Sequence, residues 1–341
     1  MARYSFFLFF LFGNFLFSQS YPDKYVDSLL VVGIDFIVEE NYSNAENIFW
    51  ELKKNYPQLP LGSLYLAATE IARSVDFFEE INSPKIENYF EEAETVADSL
   101  LEEDDENIWN IYFSGLLAGY RAYYSALKSD YYGAFTDGYD SYSLFSKCIE
   151  KDTLFYEAYI AIGSFEYWMS AKTEFFSWVP FYDDNRANGI SLLETAWKKA
   201  PYNAHLAANS LIWIYINEKE FTKAVDLSEK ELEKYPSTRF FQWGLANAYQ
   251  YIDKKKSIEI LRRIYESYQK TGRNIQTEKI VINHKIAMLE NDLRNYENAL
   301  NLCDELLDSC DKIENKSDEI EDRCARLKEL KDSLLSKINK K

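Results

Sequence analysis

The chain has 341 residues, with 56 Asp and Glu against 38 Lys and Arg, a net charge of −18. That balance argues against nucleic acid and anionic membrane surfaces as partners, because a basic patch is their electrostatic footprint. The length is more than one compact core comfortably fills, and eleven Gly and seven Pro are too few for long flexible linkers.

The first residues carry one cation, Arg3, then an apolar run from Phe6 to Phe17 and small residues at Ser18 and Ser20. This reads as a secretory signal peptide over 1–20, since the run is shorter than the ~20 apolar residues that span a bilayer. The expected mature chain starts near Tyr21 and is periplasmic or secreted. It loses only Arg3, leaving 37 basic against 56 acidic residues, about −19. No later stretch is apolar enough for a transmembrane helix, and no alternating pattern predicts a strand.

From Leu29 to Pro57 the pattern predicts two short helices. Val32, Gly33 and Phe36 mark the first, Glu40 to Ser43 the turn, and Ala45, Phe49 and Leu52 the inner face of the second, which Pro57 stops. Gly33 and Ala45 let the helices approach, and Phe36 and Phe49 fill the space beside them. This spacing resembles the tetratricopeptide repeat (TPR), with its small and aromatic residues on two helices and a closing proline.

The remaining pairs follow in order. Leu61–Glu80 carries Leu64, Ala67, Ala68 and Ile71 on one face; Asn82-Ser83-Pro84 breaks it, and Pro84 suits the first turn of the next helix. The third pair has Ile111, Gly115 and Ala118, then Gly138, Tyr142 and Phe145. The fourth has Tyr159, Ile162 and Gly163, then Gly189, Leu193 and Ala196, closed by Pro201. The fifth has Leu211, Ile212 and Tyr215, a turn at Asn217–Glu220, then Phe221 and Ala224, closed by Pro236; it departs from the repeat at Ser228 and Glu231, where apolar residues are expected. The sixth has Gly244, Ala248 and Tyr251, a turn at Asp253–Lys256, then Leu261 and Ile264. The seventh has Ile286 and Ala287, then Ala299, Cys303 and Leu306.

The small residues opening the second helices are Ala45, Ala93, Gly138, Gly189, Ala224, Ser257 and Ala299, at intervals of 33 to 51 residues. The second to fourth pairs are therefore stretched beyond the ~34 residues of the repeat, and longer helices and loops must absorb the excess. A last helix, Ser317–Lys337, buries Ile320, Leu327, Leu330 and Leu334 and is charged elsewhere, as a terminal cap should be. The resemblance implies an all-α, right-handed α-solenoid of about seven helix pairs over 21–316, with a capping helix and tail over 317–341.

No metal, nucleophile or phosphate-loop pattern accompanies the two histidines, His205 and His284, which stand in different pairs and read as structural. Acid pairs are expected by chance in so acidic a chain. The acidic run Glu102–Glu106 lacks the alternating ligands and glycine of a calcium loop. No enzyme activity and no cofactor is expected.

Aromatic residues make up 17% of the chain, and most read as filling between helices. One region exceeds that need: Tyr120 to Tyr124, Phe165 to Trp168, and the connection Phe175 to Tyr182 before Asp183-Asp184-Asn185-Arg186. Trp178 and Phe181 are expected to fold back on the third and fourth pairs, with Asp183, Asp184 and Arg186 capping or tethering the next helix. By the resemblance, first helices line a concave surface, which places Tyr112, Tyr120, Tyr167, Trp168, Asn209, Trp213 and Asn217 there. With Arg121, Trp178 and Arg186 these make the expected partner-binding set. The lysines and arginine with which chaperone-binding members clamp a peptide carboxylate are absent from those places. The expectation is an exported, non-enzymatic scaffold whose aromatic groove holds a protein or peptide. The alternative is a protein that binds a small molecule or glycan in the middle repeats.

Four cysteines, Cys148, Cys303, Cys310 and Cys324, permit disulfides outside the cytoplasm, against the alternative of four buried thiols. Partners in an antiparallel helix hairpin lie at equal distances from the turn. With the turn centred near Asn315, Cys303 faces Cys324 and is expected to bond to it once oxidised. Cys310 falls out of reach of Cys324, and Cys148 stays buried and free.

Overall fold

The computed structural model describes residues 19–81, 83–172, 184–313 and 316–339. Among these residues there are fifteen α-helices and no strand. They are α1 (Lys24–Val38), α2 (Tyr42–Asn55), α3 (Leu61–Asp76), α4 (Pro84–Glu103), α5 (Ile108–Leu127), α6 (Tyr131–Lys151), α7 (Ala158–Lys172) and α8 (Arg186–Lys199). The second half holds α9 (Ala204–Asn217), α10 (Phe221–Lys234), α11 (Arg239–Ile252), α12 (Lys254–Gln269), α13 (Gln276–Asp292), α14 (Tyr296–Asp311) and α15 (Asp318–Ile338). Each helix packs chiefly on its chain neighbours. The protein is the expected all-α solenoid, seven pairs followed by one more helix.

Pairing is closest where glycine removes a side chain. A Cβ at Gly33 would stand 2.5 Å from the ring of Phe49, which is fully buried, and one at Gly163 would stand 2.7 Å from the carbonyl oxygen of Gly189. The stretched second and third repeats put their extra residues into α4, α5 and α6, of 20, 20 and 21 residues, against 14 in α2, α8, α9, α10 and α11.

Five first helices, α1, α3, α5, α9 and α13, end alike. A non-glycine residue takes the left-handed conformation: Glu40, Phe78, Ser129, Lys219 or Arg294, at φ 50 to 63°. The residue after it donates its N–H to the carbonyl five residues back, as Asn41 to Phe36 at 2.8 Å and Glu220 to Tyr215 at 2.8 Å. This Schellman closure satisfies the last carbonyls and reverses the chain into the second helix. In the sixth pair Asp253 alone makes the turn, where four residues were expected. Its side chain accepts from the N–H groups of Lys255 and Lys256, both at 3.1 Å, and α12 begins at once.

The polar departures in the fifth pair are buried and satisfied. Ser228 bonds back to the Ala224 carbonyl at 2.7 Å, and Glu231 accepts the indole N–H of Trp197 at 2.6 Å. The register of α10 therefore stands.

The array curls until its first three helices meet α9 to α12. Tyr202 donates to Asp27 at 2.6 Å, Tyr235 donates to Asp35 at 2.6 Å, and the Tyr268 hydroxyl donates to the Asp76 carbonyl at 2.8 Å. Phe77 meets Tyr268 edge to face at 6.0 Å, and Phe78 meets Trp243 at 6.3 Å. Long side chains span this seam; no helix pair across it packs as closely as consecutive helices do.

At the C-terminal end the bond joins Cys310 to Cys324, with Cα atoms 6.2 Å apart, and Cys303 is free and buried, as is Cys148. The expected Cys303–Cys324 pairing is therefore wrong. The reason is register. The ion pair Lys331–Asp304 at 2.6 Å and the disulfide have sequence midpoints of 317.5 and 317, so the hairpin is centred about two residues later than equal counting from Asn315 implies. Extended residues such as Ser317 advance about twice as far as helical ones, so the connection shifts α15 along α14. Cys303 and Cys310 are two helical turns apart on one face, and this axial shift decides which of them meets Cys324.

Candidate functional site

Because the array closes on itself, its concave face becomes the wall of a cavity of about 890 Å³. Every first helix, α1, α3, α5, α7, α9, α11 and α13, contributes to the wall, and α15 adds Arg323. The volume lies within the ~300–1,000 Å³ of small-molecule sites. Most of the wall is aliphatic or aromatic, with Ile34, Ile71, Leu116, Leu206, Trp213 and Trp243 among its residues.

Polar groups occupy three places on it. The first centres on Glu157, between α6 and α7. Its carboxylate accepts from the Tyr202 N–H at 2.7 Å, the Asn203 N–H at 3.0 Å, the Asn203 amide at 2.8 Å and the Tyr112 hydroxyl at 3.4 Å. Burial raises its pKa, and the donors from Asn203, Tyr202 and Tyr112 oppose that rise. Burial also raises Tyr65, Tyr112 and Tyr120 nearby. Asn203 is 2% exposed, and its amide oxygen has no partner.

The second is the seam. Arg239 bonds Asp76 twice, and its guanidinium stands 2.8 Å from Glu40, which also accepts from the backbone N–H groups of Arg239 and Phe240. Two buried carboxylates share one buried guanidinium. Burial, then Asp76, pushes Glu40 up to about 7, against the pull of Arg239. His205 lines the cavity beside this seam, and burial first, then Lys234, holds its pKa down to about 3.

The third is cationic. Lys285 on α13 and Arg323 on α15 both line the cavity, next to Trp243 and Asn247. Burial, then Arg323, lowers the Lys285 pKa. Lys285 donates to the Asn247 amide oxygen at 3.4 Å and makes no ion pair among the described residues. Arg323 holds Glu319 through Nε at 3.2 Å and Nη2 at 2.7 Å.

Of the residues assigned from sequence, Tyr112, Tyr120, Asn209 and Trp213 line this cavity. Tyr167 is buried within the wall, donating to Glu218 at 2.6 Å and accepting from Asn217 at 2.7 Å. Trp168, Arg186 and Asn217 gather instead around a separate, polar hollow of about 440 Å³ with Glu218 and Lys219. Arg121 faces away from the cavity, bonded to Glu94 at 2.8 and 2.9 Å. Asp184 accepts from the backbone N–H of Arg186, the first residue of α8, at 3.1 Å and holds its guanidinium at 2.6 to 3.0 Å, while the N-cap residue Asn185 makes no side-chain bond. Trp178, Phe181 and Asp183 lie outside the described residues. Sequence reading missed Glu157, Asn203, Lys285 and Arg323. A buried Glu between two repeats was a usable signal for the first; nothing local distinguished the others.

Among the described residues no three His, Cys, Asp or Glu side chains come together as a metal ion needs, and no helix is long and apolar enough to cross a membrane. The sequence matches no family model and no curated protein. Among solved structures the chain is similar to the TPR domain of P58(IPK), at 12% identity over 89% of this chain and 98% of that one, with a TM-score of 0.26.

Proposed function

We propose that this TPR-like helical repeat protein is a non-enzymatic binding protein that carries an apolar small molecule in the cavity of its curled solenoid. Such arrays commonly serve as protein-interaction scaffolds, usually through an open groove. The observation that carries the small-molecule reading is the side-chain seam between α1–α3 and α9–α12, which turns the groove into an apolar cavity. A hydrocarbon-rich ligand buries its surface there at ~25 cal/mol per Å². A glycan fits less well, since most of its hydroxyls would lose water against aliphatic walls without gaining partners. The apolar run before Tyr21 and the Cys310–Cys324 bond support export to an oxidising compartment, periplasmic or extracellular.

Native mass spectrometry of the purified chain, followed by denaturing extraction, tests the reading. The expected result is a bound small molecule, or uptake of a neutral solvatochromic dye with blue-shifted emission. Ala161 lines the cavity, and Ala161→Trp should block uptake while helicity is kept. Undiminished uptake by a folded Ala161→Trp variant would place binding elsewhere.

A second reading, docking of a protein partner, is favoured by the outer face of α6. Tyr131, Phe135 and Tyr139 recur at four-residue spacing beside Tyr132, which is 80% exposed. Its test is affinity capture from an envelope extract with the wild type and with Tyr132→Ser/Phe135→Ser. Loss of a specific partner with unchanged dye uptake would support it.

A further inference from the structure

The cavity wall is mostly apolar, and of its three polar places one carries two cations. Lys285 and Arg323, 38 residues apart in sequence, come from α13 and α15 and line the same space. The chain as a whole carries 56 acidic residues, so a cation needing a partner could readily have been given one. Lys285 has none among the described residues: its contact is a neutral amide oxygen at 3.4 Å. Arg323 spends Nε and Nη2 on Glu319, leaving Nη1 uncommitted to that pair. Other cations add to this corner. Burial, then Arg323, Arg326 and Lys285 in turn, holds down the pKa of His284, whose Nδ1 has no partner. Such charges are costly to bury beside one another unless an anion completes the site.

We infer that the ligand is a long-chain amphiphile with one anionic headgroup, a carboxylate, seated at Lys285 and Arg323 with its chain along the aliphatic and aromatic wall. The inference rests on the cavity reading above and names its ligand class. A guanidinium and an ammonium together suit a carboxylate, the first by its planar N–H donors and the second as a point charge. Trp213 and Trp243, on neighbouring first helices, offer flat apolar surface for the chain on the same wall. The amide oxygen of Asn203, buried and without a partner, lies on the same wall.

The test is displacement of a neutral solvatochromic dye from the full mature chain by a long-chain carboxylate, the alcohol of equal chain length, and a single-chain phosphate-headed lipid. The carboxylate should bind about tenfold or more tighter than the alcohol, the scale of one hydrogen bond to a charged group. In Lys285→Met/Arg323→Gln the two should become equal through loss of carboxylate affinity, with helicity kept. If the wild type does not discriminate, or the double variant still does, the headgroup assignment is overturned while the cavity reading stands. Tighter binding of the phosphate-headed lipid overturns the carboxylate. If neither carboxylate nor alcohol displaces the dye, the cavity reading itself falls and takes this inference with it.

Discussion

Arg239 on α11 holds Asp76, the last residue of α3, through Nε to Oδ1 at 2.8 Å and Nη2 to Oδ2 at 2.6 Å, across 163 residues of chain. The same guanidinium faces Glu40 at 2.8 Å and stacks over the Tyr268 ring, 4.4 Å from its centroid. All three charged side chains are nearly inaccessible. The first helices are thus fastened to the sixth pair, and the array is curled back on itself around its concave face.

Removing Arg239 should therefore be severe. Arg239→Met leaves two buried carboxylates without their cation, and breaking a buried pair in this way costs about 3–5 kcal/mol. Urea denaturation should show that loss, and hydrogen exchange should quicken in α1 and α3 before the centre of the array. A loss near that of a surface ion pair, ~0–1 kcal/mol, would mean that the seam does not hold the fold closed.

Stability should carry two opposed pH dependences. Glu40 stands at about 7 in the fold against an ordinary 4.5, so its contribution is complete below pH 4.5 and is lost as the pH rises through about 7. The histidines run the other way. His205 at about 3 and His284 at about 4 contribute stability above the ordinary 6.5 that is lost as the pH falls through those values. Glu40→Gln should gain on the wild type as the pH rises from 4.5 to about 7, and His284→Gln should gain on it below 6.5. Urea midpoints measured across this range check both signs.

Reducing the Cys310–Cys324 bond should loosen α15. The bond closes a separation of 14 residues, worth about 3 kcal/mol in the chain-entropy account. Peptide mapping without reductant should recover the Cys310–Cys324 peptide. Cys303, whose thiol burial first, then Asp304, pushes up to about 11, should alkylate only when the array unfolds. Because Arg323 sits one residue before Cys324, reduction should also weaken ligand binding in the dye assay.

One stabilising change follows from the turns. Arg294 is exposed and left-handed, with φ 63°, a conformation that costs a non-glycine residue ~1–2 kcal/mol. Arg294→Gly should stabilise the protein by about 0.5–1 kcal/mol after the added freedom of the unfolded chain is counted. Calorimetry reads this directly, and a lower Tm would show that the Arg294 side chain contributes a contact.

The helices, their pairing and their number were legible in the amino-acid pattern, because those depend on residues three, four and seven apart. Gly33 with Phe49 and Pro84 at a first turn follow from such local spacing; the stretch of the second to fourth pairs followed from the repeat intervals, and only the structure put it into α4 to α6. That pattern also determined that first helices such as α5 and α9 present Tyr112, Tyr120, Asn209 and Trp213 to a shared inner face. Only the tertiary structure decided how far the array curls. A small rotation per pair, summed over five pairs, brings Asp76 to Arg239 or leaves them far apart, and no local pattern encodes that sum. The same holds at the C-terminal end. An axial shift of a few residues in one connection pairs Cys324 with Cys310 rather than Cys303, and Arg323 on the neighbouring α15 position reaches the cavity, so that a helix read as a cap also becomes part of the wall.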